Sequence, residues 1–346
     1  MTASGSRIFS EEDTAIRASI GAASSLSKGY LLMNSLAATI ASYGLLANSA
    51  SVVIGAMIVA MLLGPISGVA LALVEGDTRL LRQGLGTLAA GVAVVMLTGF
   101  VIGLVHRDIP ITTEMLSRTA PNLIDLMVAL ASGAAGIYAA ISPRLSVALV
   151  GVAIATALVP PLCTACLLLS RGAVDHALGA LLLALTNMVA IQFAASLVFW
   201  LSGFGQLPTR SGGSWVSFVR SNALSLVVLG LLAVVLSNSL HQLVEGELYE
   251  SATRSVLQAT INNRPGCYLV DVRFDRTQPG KTLVRAVIRG PTPPTGAQVA
   301  ALENQLPRPP ELGAVELRIR FVKTLSIDRH GLRRLDMDLG MLKPDE

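Results

Sequence analysis

The sequence predicts an all-α polytopic membrane bundle of about seven spans, two inverted three-span repeats among them, followed by a small C-terminal α+β domain. Three observations predict it. Apolar residues make up 52% of the chain and charged residues 14%, with a mean hydropathy of +0.63, where a soluble domain carries about 25% charged residues. Seven runs are apolar over the length of roughly 20 residues that a helix needs to cross hydrocarbon. Finally, a shift of 96 residues brings the second of these runs onto the fifth.

The charge is uneven, with 15 of the 26 Lys and Arg lying after His241. The net charge of +4 comes without a dense basic block or interleaved aromatics, so no nucleic-acid partner is expected. The lipid bilayer is the expected partner.

Residues 1–27 are polar, and acidic at Glu11, Glu12 and Asp13. They lack the short apolar core and small-residue cleavage site of a removable signal peptide. Ser10 and Asp13 resemble a capping box, and Ile16, Ile20 and Ala23 form one apolar stripe. An N-terminal interfacial helix is expected here.

The spans follow at 28–47, 51–74, 83–105, 124–142, 145–169, 174–203 and 219–240. The first six make a membrane domain over 28–203, and 204–240 is a connector with the seventh span. At the 96-residue shift Gly55 meets Gly151, Ile58 meets Ile154, Leu62 meets Leu158 and Pro65 meets Pro161. The first span then falls on the fourth and the third on the sixth. An odd number of crossings per repeat makes the second repeat enter from the opposite side, the inverted architecture of secondary transporters.

Before the tail, Arg7, Arg17, Lys28, Arg79, Arg82, Arg144, Arg210 and Arg220 fall on one side of these spans, and Arg107, Arg118 and Arg171 on the other. Eight against three places the N-terminus in the cytoplasm of a prokaryotic cell, and seven crossings place the tail outside.

Residues 241–346 change pattern. A helix over 247–262, strands over 267–275 and 283–289, a helix opened by the Thr295/Gln298 capping box and a third strand through Val315, Leu317, Ile319 and Phe321 make a soluble α-β-β-α-β module. The last 20 residues are expected to be frayed.

Two spans carry helix breakers near their middles, Gly64-Pro65 in the second and Pro160-Pro161 in the fifth. Proline removes an intrahelical hydrogen bond, and in hydrocarbon the freed groups need protein, water or a ligand. Proline also suits the first turn of a helix. Each break can therefore start a half-helix whose N–H groups and positive dipole end face the midplane and attract an anion or the carboxylate of a zwitterion. Simple kinks are the alternative. Replacing Pro161 by alanine is expected to restore a continuous helix.

Polar residues gather near these breaks: Ser67 after the first, Thr156, Cys163 and Thr164 around the second, Asn187 with Thr186 and Gln192 in the sixth span, and Asn34 and Thr39 in the first. A buried Asn either bridges helices or lines a polar cavity. Gly64, Pro65, Ser67, Thr156, Pro160, Pro161, Thr164 and Asn187 are the candidate solute-binding residues.

No acid or base lies deep in a span, which disfavours a buried proton relay, and Asp125 reads as a helix cap. Cys163 and Cys166 have metal or redox spacing but no His nearby, so packing is their expected role. Gly84, Gly86, Gly91, Gly133 and Gly136 permit close helix contact, within one copy or in a homo-oligomer. With no phosphate-binding glycine loop, dinucleotide fingerprint, nucleophile constellation or metal cluster in view, neither an enzyme nor a cofactor is expected.

The stretches VVIGAMIVAMLLGPISGVALALVEGD (52–77), PNLIDLMVALASGAAG (121–136), GVAIATALVPPL (151–162) and LTNMVAI (185–191) resemble the uncharacterised prokaryotic hydrophobic membrane family called domain of unknown function 389. The chain departs from it at Met61-Leu62, where that family often has a proline. The resemblance implies a prokaryotic inner-membrane location and no settled activity. The function expected from the residues is a secondary carrier for a small anionic or zwitterionic solute. The alternative is a membrane-anchored sensor or scaffold whose tail binds a ligand or partner.

Overall fold

A computed structural model describes residues 11–142, 158–204, 215–264, 266–278, 281–308, 314–324, 326–328 and 331–333. It divides into two compact units, Met1–Leu240 and His241–Glu346.

In the first unit the elements run α1 (Glu11–Ala23), α2 (Lys28–Leu46), α3 (Ala50–Val59), α4 (Leu63–Glu75), α5 (Thr78–Val105), α6 (Thr113–Leu116), α7 (Leu123–Ala140), α8 (Val159–Ser170), α9 (Val174–Leu201), α10 (Trp215–Ser221) and the start of α11 (Ala223–Asn262). Five of these, α2, α5, α7, α9 and α11, are long and apolar enough to cross a membrane, and α3 with α4 is an apolar pair bent by 55° at its break, with the geometry of a broken span or of a re-entrant loop. The fifth expected span is described only in its second half, α8. Ser10 and the first half of that span lie outside the described residues.

Local chemistry sets the helix ends. Ser27 caps α2 by accepting from Tyr30 N, and Asp77 caps α5 by accepting from Arg79 N and Leu80 N. Asn122 and Asp125 form a reciprocal capping box at α7, with Asn122 N donating to Asp125 Oδ2 at 2.9 Å. Asp125 thus serves as a helix cap. The α4–α5 turn passes through Gly76 at φ 71°, the left-handed geometry that glycine adopts without steric cost.

Two sets of contacts mark the two ends of the bundle. At one, Arg17 Nε meets Glu75 Oε1 at 2.5 Å and Arg17 lies over the Phe204 ring, which joins α1, the end of α4 and the end of α9. Ile16 and Ile20 pack there with Ala70, Leu71, Ile137 and Phe199, so the apolar stripe of α1 is seated on the bundle. At the other end Thr112 Oγ1 donates to Leu45 O and Arg107 Nε to Ser170 O. Arg171 donates to Leu167 O and His106 O. Arg107 and Arg171 thus bind carbonyls at the C-terminus of α8, where positive charge is favoured.

The expected small-residue packing is realised within one copy. Gly84, Gly91, Gly99 and Gly103 lie buried along α5. A Cβ at Gly84 would meet Val69 of α4, and one at Gly91 would meet Tyr30 and Leu62. At Gly99 it would meet Cys163 and Cys166 of α8, and at Gly103 Ser170. Gly133 of α7 lies against the backbone of Ile191 in α9. Gly86 is exposed with nothing near it.

The second unit holds a three-stranded sheet of β1 (Tyr268–Gln278), β2 (Lys281–Gly290) and β3 (Ala314–Lys323) in that order. β1 and β2 pair antiparallel, and β2 and β3 pair parallel across the crossover helix α12 (Gly296–Glu303). Val272, Val284, Ala286, Ile288 and Leu317 share a core with Leu302, Leu306 and Leu257. The Thr295/Gln298 capping box forms. Part of the tail expected to be frayed is paired, because β4 (Ser326–Asp328) and β5 (Gly331–Arg333) make a short hairpin.

Candidate functional site

The break in the second span lies at residues 60–62. Pro65 lacks the N–H that would bond to Met61 O, and its ring crowds that carbonyl, so a helix cannot run through both residues. α3 therefore stops at Val59, Ala60 turns extended (φ −69°, ψ 140°), and α4 restarts at Leu63. The freed Met61 N–H is taken up by α2: it donates to Asn34 Oδ1 at 3.1 Å, while Asn34 Nδ2 donates to Tyr30 O at 2.9 Å. Asn34 is fully buried, and it caps the break.

Asn34 belongs to a stripe at four-residue spacing, Tyr30, Asn34, Ala38 and Ser42, all at most 4% exposed. One half of the stripe faces the break, with the Tyr30 hydroxyl lying where α5 approaches at Gly91. The other half faces α8, where the Cys163 thiol points to Ala38 O at 3.7 Å. The Tyr30 hydroxyl and Thr164 Oγ1 are buried without a hydrogen-bond partner among the described residues. Such groups are rare in native interiors and ask for an explanation.

The expected site residues separate. Gly64 lies against the Ala23 carbonyl, 2.4 Å from where its Cβ would be, and its own carbonyl accepts from Ser24 Oγ at 3.0 Å. Pro65 O faces Gly84 of α5. The start of α4 thus meets the carbonyl end of α1, which already supplies the negative pole expected of a solute. Ser67 Oγ donates within its own helix to Leu63 O. Pro160 and Pro161 are buried in the first turn of α8, as proline chemistry requires.

Neither proline has an N–H, so that turn offers fewer donors than an ordinary helix start. Pro161→Ala alone leaves Pro160 in place, so one substitution does not rejoin the helix. Thr164 is fully buried one turn on, Asn187 is 6% exposed in α9, and Thr156 lies outside the described residues. Leu62 and Ile66 share one apolar cluster with Leu158, Val159, Leu162 and Cys163, so the break at 60–62 and the start of α8 enter the same core.

Sequence reasoning passed over Tyr30 and Ser42, although the four-residue spacing with Asn34 was there to read. It also passed over Asn222, which accepts from Gln192 Nε2 at 3.4 Å in a network where Ser225 Oγ donates to Gln192 Oε1 at 2.6 Å. Cys163 and Cys166 are free and buried, packed under Gly99. Among the described residues no group of three or more His, Cys, Asp or Glu could hold a metal.

An uncharacterized protein of Methanocaldococcus jannaschii is 34% identical over 188 residues, which are 54% of this chain and 57% of that protein. The chain thus spans little more than half the length of this curated relative. A family model described as "Domain of unknown function (DUF389)" matches residues 57–193, a segment holding both breaks, Thr164, Asn187 and Gln192 but not the α2 stripe. Residues 57–193 are thus similar to the DUF389 family, the one that the four motifs resemble.

Proposed function

We propose that the protein is a secondary carrier for a small anionic or zwitterionic solute, held where the α2 stripe passes between the two helix breaks. The observation that carries this reading is the pair of unpartnered hydroxyls, Tyr30 and Thr164, buried beside the breaks of a membrane protein. The backbone N–H groups first expected to hold the solute are reduced by Pro160 and Pro161 and faced by α1, so hydroxyl and amide donors take the larger share. A zwitterion fits better than a bare anion, since it brings its own countercharge into a core without deep charged side chains.

The inverted repeat is supported by reciprocal packing: α5 packs on α4 and on α8, while α9 packs on α8 and on α4. Each third helix thus engages the broken span of both halves, as a two-fold axis in the membrane plane requires.

The test uses proteoliposome uptake of amino acids and small anions. Tyr30→Phe and Thr164→Val are expected to keep or raise thermal stability, because each removes an unsatisfied buried hydroxyl. They are expected to lower solute affinity about fivefold each, the equivalent of one lost hydrogen bond. Asn187→Leu is expected to weaken uptake with the fold retained. Uptake at parental affinity in all three variants would remove the midplane site and favour a sensor whose ligand binds the second unit, which has its own core.

We place the protein in the prokaryotic inner membrane with the Arg17–Glu75 end in the cytoplasm. The three native cysteines are buried, so an impermeant thiol reagent applied to intact cells is expected to label Ser117→Cys and to spare Arg79→Cys. The reverse pattern overturns the orientation. A homo-oligomer has to use a surface other than Gly84, Gly91 and Gly133. The exposed Val227, Leu231 and Val234 of α11 are spaced for such a seam.

A further inference from the structure

A cavity of about 440 Å³ opens between α4, α5, α9 and α11, away from the α2 stripe. Its walls are aliphatic, with Ile66, Leu88 and Val189 among them, and no charged residue lines it. Leu85, Leu185 and Leu224 also line it and are 50%, 49% and 78% exposed. The mouth is therefore framed by side chains that belong against hydrocarbon.

The polar margin is small and lies at one end. Gln192 and Ser225 line it but are bonded to each other, and Gln192 Nε2 also donates to Ser196 Oγ at 2.9 Å. Their hydrogen bonding is largely spent. The exposed Ser221 hydroxyl stands at the same end.

From Ser221 to Val228, and from Gln192 to Leu185, the lining residues span seven helical steps, about 10 Å. That is less than half of a hydrocarbon layer about 30 Å thick, so the cavity lies within one leaflet. The exposed Trp215, stacked on Phe218 and edge-on to Trp200, marks the interfacial level of this end. Two exposed arginines adjoin the lining, Arg82 after Leu81 and Arg220 before Ser221. Neither is ion-paired among the described residues.

We propose that this cavity is a binding site for one acyl chain of an anionic phospholipid, with the headgroup at Ser221, Arg82 and Arg220. Apart from Ser221 at the margin, the described walls give a polar solute no free partner, and an apolar chain needs none. A second copy of the protein cannot insert a helix, whose diameter of about 10 Å exceeds a space of this volume. In a bilayer the exposed leucines at the mouth would face lipid chains, and two arginines at that level, not ion-paired among the described residues, would select negative headgroups, each contributing about fivefold in affinity.

The experiment reconstitutes the full chain with phosphatidylglycerol or phosphatidylcholine carrying a photoreactive diazirine in the middle of one acyl chain, then maps the adducts by peptide mass spectrometry. Adducts are expected to concentrate on 66–88, 185–192 and 224–228, with phosphatidylglycerol favoured. Val189→Trp, which fills the cavity, is expected to abolish this concentration. Arg82→Gln with Arg220→Gln is expected to keep the adduct positions and reduce the headgroup preference about thirtyfold. Adducts spread evenly over the lipid-facing helices, unchanged by Val189→Trp in a variant that still unfolds cooperatively, overturn the site. Equal labelling by the two lipids overturns its anionic character, and cross-links joining two copies at α11 assign the mouth to an oligomer contact instead.

Discussion

Asn34→Leu is expected to destabilise the bundle by about 1–3 kcal/mol, the cost of leaving a buried donor without its acceptor. The donor is Met61 N–H, freed by the break at 60–62 and bonded to Asn34 Oδ1. Water cannot replace that acceptor in hydrocarbon. Leucine keeps the four side-chain heavy atoms and the Cγ branch of asparagine, so the acceptor is removed without opening a cavity. Thr39→Val is the control: Thr39 Oγ1 donates to Ser35 O in its own helix, and its loss is expected to stay within about 0.5 kcal/mol. Denaturation in one mild detergent compares the two. Equal effects would mean that Asn34 does not support the break. If the carrier reading is right, Asn34→Leu also lowers uptake, because the break loses its fixed shape.

Gly133→Leu is expected to disrupt the fold more severely. A Cβ there would lie 2.8 Å from Ile191 Cα and 2.9 Å from Ile191 O, backbone atoms of a facing helix that no rotamer change can move aside. Overpacking a well-filled interior costs about 1–3 kcal/mol for extra methylenes, and here α7 and α9 must separate along their length. A fall in melting temperature and a loss of monodisperse protein in detergent are the expected results. Gly86→Ala goes the other way. Gly86 is exposed in the middle of α5 with nothing within 4 Å, so alanine is expected to stabilise by about 0.5–1 kcal/mol through the cost of glycine in a helix. A destabilising Gly86→Ala would point to a lipid or protein contact on that face.

These two pairs show where sequence reading reaches its limit. Gly84, Gly86, Gly91 and Gly133 look alike in the sequence, since each is a small residue in an apolar run. Only the facing helix distinguishes them, because the cost of a side chain depends on what stands opposite. The same holds for Gly64 and Pro65. Their helix-breaking chemistry was legible, and the bend follows it, but the sequence did not reveal that the carbonyl end of α1 lies against the start of α4. Asn34 was legible as a buried polar residue, while its partner, Met61 N–H, exists only because the break frees it 27 residues later.

What the sequence by itself determined is local. Apolar run length and the near absence of charge specify helices long and apolar enough to span a membrane, proline specifies the break before α4 and the start of α8, and the Asn122/Asp125 and Thr295/Gln298 capping boxes specify helix starts. Each depends on backbone chemistry within a few residues. Tertiary structure alone decided which polar side chains meet. It set Asn34 against the break at Met61 and Ala38, one turn on, against Cys163 of α8, gathered Gln192, Asn222 and Ser225 into one network, and left an apolar cavity beside it. Such meetings depend on how helices far apart in the chain rotate against one another, a choice set by close packing across their whole surfaces and carried by no short stretch of residues.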